Sequence, residues 1–361
     1  MKKPVFNKKY FLREIFGLFI ALMMLCSFFS CGFNAPMPEY KYQRNCYSVS
    51  VADGPEDFVL DKWHDSPRLL ISSHERREPA PSGDIYYFIL KTGYSSSLKR
   101  IGEPESLSAF KPHGMDIRRT NGKTLLYVIL HDPYSQSRQD ENAIAVYEVM
   151  DNELKFEALL EDKIHLWSPN DLSVLPSGEI YATNDKRGMI DVYFKRETSE
   201  VVYYSPEQKK WSVVASGLSY ANGIFARDSK VFVTATRSDC LMEYQRNDDG
   251  TLGKGRKLLE FKGPDNIMPF KSYLLVVVHF DDIAFLRHEM DKEKHSPSVV
   301  FLINPDEDEP EKHMKAIYVD DGSQISAAST AFVWDDKLYI SQVFNSEIVI
   351  CEAGDIEKIM E

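Results

Sequence analysis

Three stretches of the chain spell the same hairpin: Pro176-Ser-Gly-Glu-Ile-Tyr-Ala-Thr183, Arg227-Asp-Ser-Lys-Val-Phe-Val-Thr234 and Trp334-Asp-Asp-Lys-Leu-Tyr-Ile-Ser341. Each is a tight polar turn, a charged residue, then alternating apolar and aromatic positions that end in Thr or Ser. A recurring antiparallel unit buries its apolar faces by stacking on copies of itself. Further strand-like runs fall at 125–130, 143–149, 179–183, 201–204, 211–215, 230–236, 273–280, 298–303, 337–343 and 347–351. Helical periodicity is nearly absent and no β-α-β alternation occurs, which excludes a parallel α/β sheet. Cys46 to Cys351 spans 306 residues, which divides into six units of 51. Antiparallel repeats of about 40–50 residues are propeller blades. The expected fold is therefore all-β, a six-bladed β-propeller over residues 46–361 with four antiparallel strands per blade. A hydrophobic share of 43% and 12% aromatics are enough for its core.

The N-terminus reads differently. Lys2, Lys3, Lys8, Lys9 and Arg13 precede the apolar run 16–30, which is too short for the roughly 20 residues of a membrane helix and suits a signal peptide. The run ends in Ser30-Cys31-Gly32, similar to a lipoprotein cleavage site with Cys31 as the lipidated residue. A cleaved signal without lipid and an uncleaved anchor are the alternatives. Residues 1–31 are thus expected to direct export, with or without membrane attachment through the lipid, and residues 32–45 to form a tether. Cysteine usage agrees with export: an oxidising compartment permits Cys46 and Cys351 to bridge, tying the first strand to the last. Cys240, in the strand-like Cys240-Leu-Met-Glu-Tyr244, reads as small buried packing. A net charge of −12 argues against a nucleic-acid partner.

Polar clusters interrupt the strands at Glu56-Asp57, His113, Asn170-Asp171, Asn222 and Asp265-Asn266, at intervals of 57, 57, 52 and 43 residues. Equivalent blade loops converge on a propeller axis, so groups one blade apart meet in space. Taken singly, Asn and Asp are ordinary turn residues. As a set, carboxylate and amide oxygens without Cys describe a hard-cation site, and calcium takes six to eight such oxygens. Successive residues of an extended chain point in opposite directions. Glu56 and Asn170 can then face one ion while Asp57 and Asp171 face a second, so two calcium ions are expected on the axis.

The stretches Pro112-His-Gly-Met115, Ser168-Pro-Asn-Asp-Leu172, Tyr181-Ala-Thr-Asn-Asp185, Val202-Tyr-Tyr-Ser-Pro206, Tyr220-Ala-Asn-Gly-Ile224 and Pro264-Asp-Asn-Ile267 occur in the order of the paraoxonase/arylesterase family's motifs. Gly54-Pro-Glu-Asp57 resembles that family's first metal-binding segment, and Asn45-Cys46 with Ile350-Cys-Glu352 resembles its bridged cysteines. The resemblance covers residues 45–353. It implies a catalytic calcium held by Glu56, Asn170, Asn222, Asp265 and Asn266. It implies a structural calcium held by Asp57, Asp171 and the main-chain carbonyl of Met115. His113 matches the family's active-site histidine, His131 its partner, and His279 a further pocket histidine. The chain departs from the family at Met115-Asp-Ile117, where small hydroxyl residues are usual. It is also shorter than the animal members between Asp185 and Tyr203, where their loops roof the pocket and contact lipid.

The family hydrolyses lactones and aryl esters, and the residues suit that reaction. Calcium would polarise the carbonyl and stabilise the oxyanion, while His113, oriented by His131, would assist a water, with Asp265 as the rival base. No Gly-x-Ser-x-Gly is present, since Gly217-Leu-Ser-Tyr-Ala221 fails at its last position, and no His-Glu-x-x-His points to zinc. The remaining histidines, His64, His74, His165, His288, His295 and His313, read as surface residues. Two other readings stand beside the hydrolase: a non-catalytic, calcium-stabilised binding propeller at the cell surface, and a sugar lactonase of the wider propeller group with a more polar pocket.

Overall fold

A computed structural model describes residues 37–39, 44–78, 82–134, 141–227 and 229–360. The chain divides into residues 1–37 and a compact body over Pro38–Glu361. The signal segment, Cys31 and most of the expected tether lie outside the described residues. No described helix is long and apolar enough to cross a membrane.

Among the described residues twenty-five strands build six blades in a ring. The first strand, β1 (Cys46–Ser50), waits for the chain's end. The first full blade is β2 (Pro55–Asp61), β3 (Arg68–Ser73), β4 (Asp84–Ile89) and β5 (Ser95–Ser97). A short β6 (Lys99–Ile101) adds, in parallel, to the outer edge of the second blade, β7 (Pro112–Thr120), β8 (Lys123–His131), β9 (Asn142–Val149) and β10 (Glu153–Glu161). The third is β11 (Pro169–Val174), β12 (Ile180–Asn184), β13 (Ser199–Ser205) and β14 (Lys210–Leu218). The fourth is β15 (Ala221–Arg227), β16 (Lys230–Ala235), β17 (Cys240–Gln245) and β18 (Arg256–Glu260). The fifth is β19 (Pro264–Phe270), β20 (Tyr273–His279), β21 (Ser298–Ile303) and β22 (Lys315–Asp320). The sixth is β23 (Ala328–Trp334), β24 (Lys337–Gln342) and β25 (Glu347–Glu352), completed by β1. β1 pairs antiparallel with β25, Cys46 opposite Cys351, and the two form a disulfide that closes the ring.

The core lies between blades. Leu275, Val277, Val300 and Leu302 of the fifth blade pack on Ala331, Val333, Leu338 and Ile340 of the sixth. The first and second blades meet through Leu70, Ile85, Leu126, Val128 and Tyr147. The middle strands of a blade are covered on both faces, so β20 and β21 read as continuous apolar runs rather than alternating ones. Cys240 is a free, buried thiol in the core between the third and fourth blades, as expected.

Helices are few but not absent. Among the described residues they are α1 (Met189–Tyr193), α2 (Asp282–Met290), α3 (Pro310–His313) and α4 (Ile356–Ile359); α2, nine residues inserted after β20, is the longest. Asp281 caps α2 by accepting the Ile283 and Ala284 N–H groups. His288 on α2 is buried rather than on the surface: its Nδ1 faces the Lys294 carbonyl, and Arg77 Nη2 lies 3.0 Å from its Nε2. That lock fixes α2 against the first blade.

Candidate active site on the propeller axis

The innermost strand of every blade breaks register at the same place. Two residues oppose one between Pro112 and Met115, Pro169 and Leu172, Ala221 and Ile224, Pro264 and Ile267, and Ala328 and Ala331. β2 shifts likewise between Pro55 and Asp57. Such bulges re-aim side chains. Here they turn one pair per blade toward the axis: Glu56-Asp57, His113-Gly114, Asn170-Asp171, Asn222-Gly223, Asp265-Asn266 and Ser329-Thr330. Five of the six pairs are the polar clusters of the sequence.

The inner strands approach closely. A Cβ on Gly114 would lie 2.5 Å from the Asn170 carbonyl oxygen, and one on Gly223 would lie 2.7 Å from the Asp265 oxygen and Asn266 Cα. The Thr or Ser ending each repeated hairpin bridges to the next blade. Thr183 Oγ1 donates to the Asn222 carbonyl (2.6 Å), Thr234 Oγ1 to the Asp265 carbonyl (2.5 Å), and Ser341 Oγ to the Glu56 carbonyl (2.7 Å).

The axis leaves oxygens bare. Glu56 Oε2, Asn170 Oδ1, Asn222 Oδ1 and Asn266 Oδ1 are buried without a hydrogen-bond partner. The amide groups spend their N–H donors on protein. Asn170 donates to Asp185, Asn222 to Thr236 and Asp265, and Asn266 to Glu56, Ser329 and Thr330. An unsatisfied buried acceptor costs about 1–3 kcal/mol, and four on one axis require an explanation. A hard cation supplies one, since it takes carboxylate and amide oxygens. Among the described residues no three Cys, His, Asp or Glu side chains group as a ligand set; the oxygens gathered here are largely amides. Asp57 and Asp171 are the second residues of their pairs and are engaged by backbone N–H groups. Asp57 Oδ2 accepts the Met115 N–H (2.7 Å), and Asp171 Oδ2 accepts the Ile224 N–H (2.8 Å). Burial raises both carboxyl pKa values well above the ordinary range, and so do the neighbouring carboxylates, Glu56 on Asp57 and Asp57 on Asp171. A cation between them would reverse that penalty.

Beside these oxygens stand the histidines. The His113 and His131 rings stack, with centroids 4.8 Å apart and planes 25° from parallel. Burial, then His131 and the Arg76 charge, hold His113 well below the usual histidine pKa. His131 Nε2 lies 2.7 Å from the Pro169 carbonyl oxygen, and burial lowers its pKa as well. His279 Nε2 lies 3.1 Å from Asp265 Oδ2, and Phe285 of α2 stacks on its ring at 4.4 Å. Burial opposes charge on His279, but Asp265, the Ala328 carbonyl 2.7 Å from its Nε2, and Asp282 together raise its pKa. Asp185 and Lys186 pair at 2.6 Å, and Tyr220 OH lies 3.3 Å from Lys186 Nζ.

Three residues at this site escaped the sequence reading. Ser329 donates to Glu56 Oε1 (2.8 Å) and Thr330 to Asp57 Oδ1 (3.1 Å), completing the sixth blade's share. Arg76 reaches the site from the loop after β3. Its Nη2 lies 3.4 Å from His113 Nδ1 and 3.9 Å from Glu56 Oε2.

Comparison with known proteins agrees with this architecture. The arylesterase family model matches residues 77–353. The chain is 26% identical over 291 residues to mouse serum paraoxonase/arylesterase 1, covering 75% of this chain and 77% of that protein. It is 25% identical over 253 residues to human serum paraoxonase/lactonase 3, covering 67% and 69%. A putative gluconolactonase structure superposes with a TM-score of 0.55 at 13% identity, over 87% of this chain and 93% of that one. A calcium-binding regucalcin from Agrobacterium tumefaciens superposes at 0.52 and 13%, over 84% and 92%. At such identities the two structures share the fold alone. The family match spans most of the propeller and five of its six inner-strand pairs, all but Glu56-Asp57, and the chain belongs to the arylesterase family.

Proposed function

We propose that this protein is an exported, calcium-dependent hydrolase of lactones or aryl esters. One observation carries the reading: bare, buried side-chain oxygens from four residues on four blades meet the axis beside a stacked histidine pair. Glu56, Asn170, Asn222, Asp265 and Asn266 would hold the catalytic ion, and Asp57, Asp171 and the Met115 carbonyl a structural one. Bound there, calcium supplies a Lewis acid for the carbonyl oxygen of the ester. The chain's own residues do the rest. His113, kept neutral by its surroundings, offers a ring nitrogen to take the proton of an attacking water. His131 is held by the Pro169 carbonyl and fixes the His113 ring plane by stacking. Asp265 is the poorer base: Oδ1 accepts from Asn222 at 2.5 Å and Oδ2 faces His279. Phe285 of α2 stacks on the buried His279 ring. The relatives' names, arylesterase and lactonase, support the substrate class, and the disulfide, with relatives named as serum proteins, supports export.

The test is Asn222→Ala and Asp265→Ala. Both are expected to abolish hydrolysis of phenyl acetate and a simple aliphatic lactone and to lower bound calcium, with the circular dichroism of the propeller retained. Full activity in both variants would end the assignment.

A further inference from the structure

Arg76 is the cation at the mouth of the axis that the reaction above does not use. Its Nη1 donates to the Gly54 and His74 carbonyls at 3.0 Å each and to the Val343 carbonyl at 3.4 Å. Three backbone acceptors fix the guanidinium plane and leave Nη2 toward His113 and Glu56. The side chain is mostly buried but keeps 15% of its surface exposed. Its carboxylate neighbour at 3.9 Å, Glu56, is among the expected calcium ligands.

The charges around it are otherwise spoken for. Lys186 is offset by Asp185 at 2.6 Å. Glu75 accepts the Arg77 and Glu78 N–H groups and lies beside the Arg77 charge. Burial disfavours the Arg76 charge, and Glu56, Asp265 and Glu75 favour it; once a divalent cation offsets Glu56 and Asp265, with Glu75 shared with Arg77, Arg76 stands as a fixed cation 3.4 Å from the candidate base. A guanidinium matches a carboxylate by planar, charge-assisted hydrogen bonds. A phosphate dianion fits less well, because Glu56, Asp185 and Asp265 crowd the same mouth and no second uncompensated cation stands beside Arg76 among these groups.

We propose that Arg76 is a specificity residue and that the natural substrate is a lactone or ester bearing a free carboxylate, which Arg76 binds while the scissile acyl group sits on the axis. The proposal rests on the hydrolase reading. The carboxylate changes neither the bonds broken nor those formed: the acyl C–O bond is cleaved by water in either case.

The test compares monophenyl glutarate with its methyl ester, methyl phenyl glutarate. The ratio of their kcat/KM values is measured for wild type, Arg76→Met, Arg76→Lys and Lys186→Met. Wild type is expected to prefer the monoacid tenfold or more. Arg76→Met is expected to lose that preference mainly through KM, Arg76→Lys to keep part of it, and Lys186→Met to change it less. A second arm needs no turnover: glutarate is titrated calorimetrically into calcium-loaded wild type and Arg76→Met. Binding that disappears in Arg76→Met, with neither ester hydrolysed, supports the anion site and overturns the hydrolase reading instead. A wild-type ratio near one, a ratio unchanged in Arg76→Met, or glutarate binding equal in both proteins would overturn the proposal.

Discussion

Ring closure in this propeller rests on β1 and the Cys46–Cys351 bond, and its energetic share can be worked out. The two cysteines already face each other in a five-residue antiparallel register, so the native strands keep their hydrogen bonds when the disulfide is removed. The main loss is then in the unfolded chain, where the bond closes a loop with a sequence separation of 305. The chain-entropy relation gives roughly 6 kcal/mol for a loop of that length, and measured disulfides usually give about 2–4. For a folded body of roughly 300 residues the unfolding entropy is about 0.6–0.7 kcal/mol per degree. The double variant Cys46→Ala/Cys351→Ala is therefore expected to melt roughly 3–9 °C below wild type, both calcium-saturated and followed by circular dichroism. Wild type in strong reductant should melt with the variant, and the variant itself should ignore reductant. Amide exchange should quicken first in β1 and β25. A fall below about 1 °C, or faster exchange spread evenly over six blades, would refute the reasoning.

Other consequences follow from the inner strands. Gly223→Ala places a Cβ against the backbone of Asp265 and Asn266; it is expected to cost about 1–3 kcal/mol of stability by urea titration and to weaken calcium binding, though it removes no ligand. Thr234→Val strips the donor from the buried Asp265 carbonyl and should cost about 1–3 kcal/mol, with Thr234→Ser recovering most of it. His113→Gln should lower kcat by about 10²–10⁴ with bound calcium unchanged; an equal loss of calcium would assign His113 to the metal instead. Burial pushes the Cys240 thiol up to about 11, so a thiol reagent at neutral pH should leave native protein unmodified and react with the urea-unfolded chain.

Much of this arrangement could be read in the residues themselves. Glu56, His113, Asn170, Asn222 and Asp265 stood out because polar doublets inside apolar strands recur once per blade, and the bulges explain the doublets. The Thr or Ser closing the repeated hairpin was visible as a pattern, and its role as an interblade bridge was not. Ser329-Thr330 was missed for two reasons: hydroxyl residues are ordinary in strands, and α2 and α3 lengthen the fifth blade and spoil the spacing. Arg76 lies in Glu75-Arg-Arg-Glu78, a charge run that reads as a solvated face. Backbone carbonyls from Gly54 and Val343, distant in sequence, draw it inward. His288 was misjudged for a related reason: its place depends on Arg77, some two hundred residues away. Local pattern reveals groups that repeat with the blades, whereas groups recruited by a single long-range contact leave little local trace.

The most direct measurement is hydrolysis of phenyl acetate and a simple aliphatic lactone, with bound calcium counted in the same samples. The protein is assayed as purified, after chelation, and after calcium is returned. The expected result is turnover that disappears with the axial calcium and comes back with it. Turnover that persists in folded, calcium-free protein would contradict the metal-dependent account, and folded, calcium-loaded protein inert toward both compounds would favour a binding propeller instead.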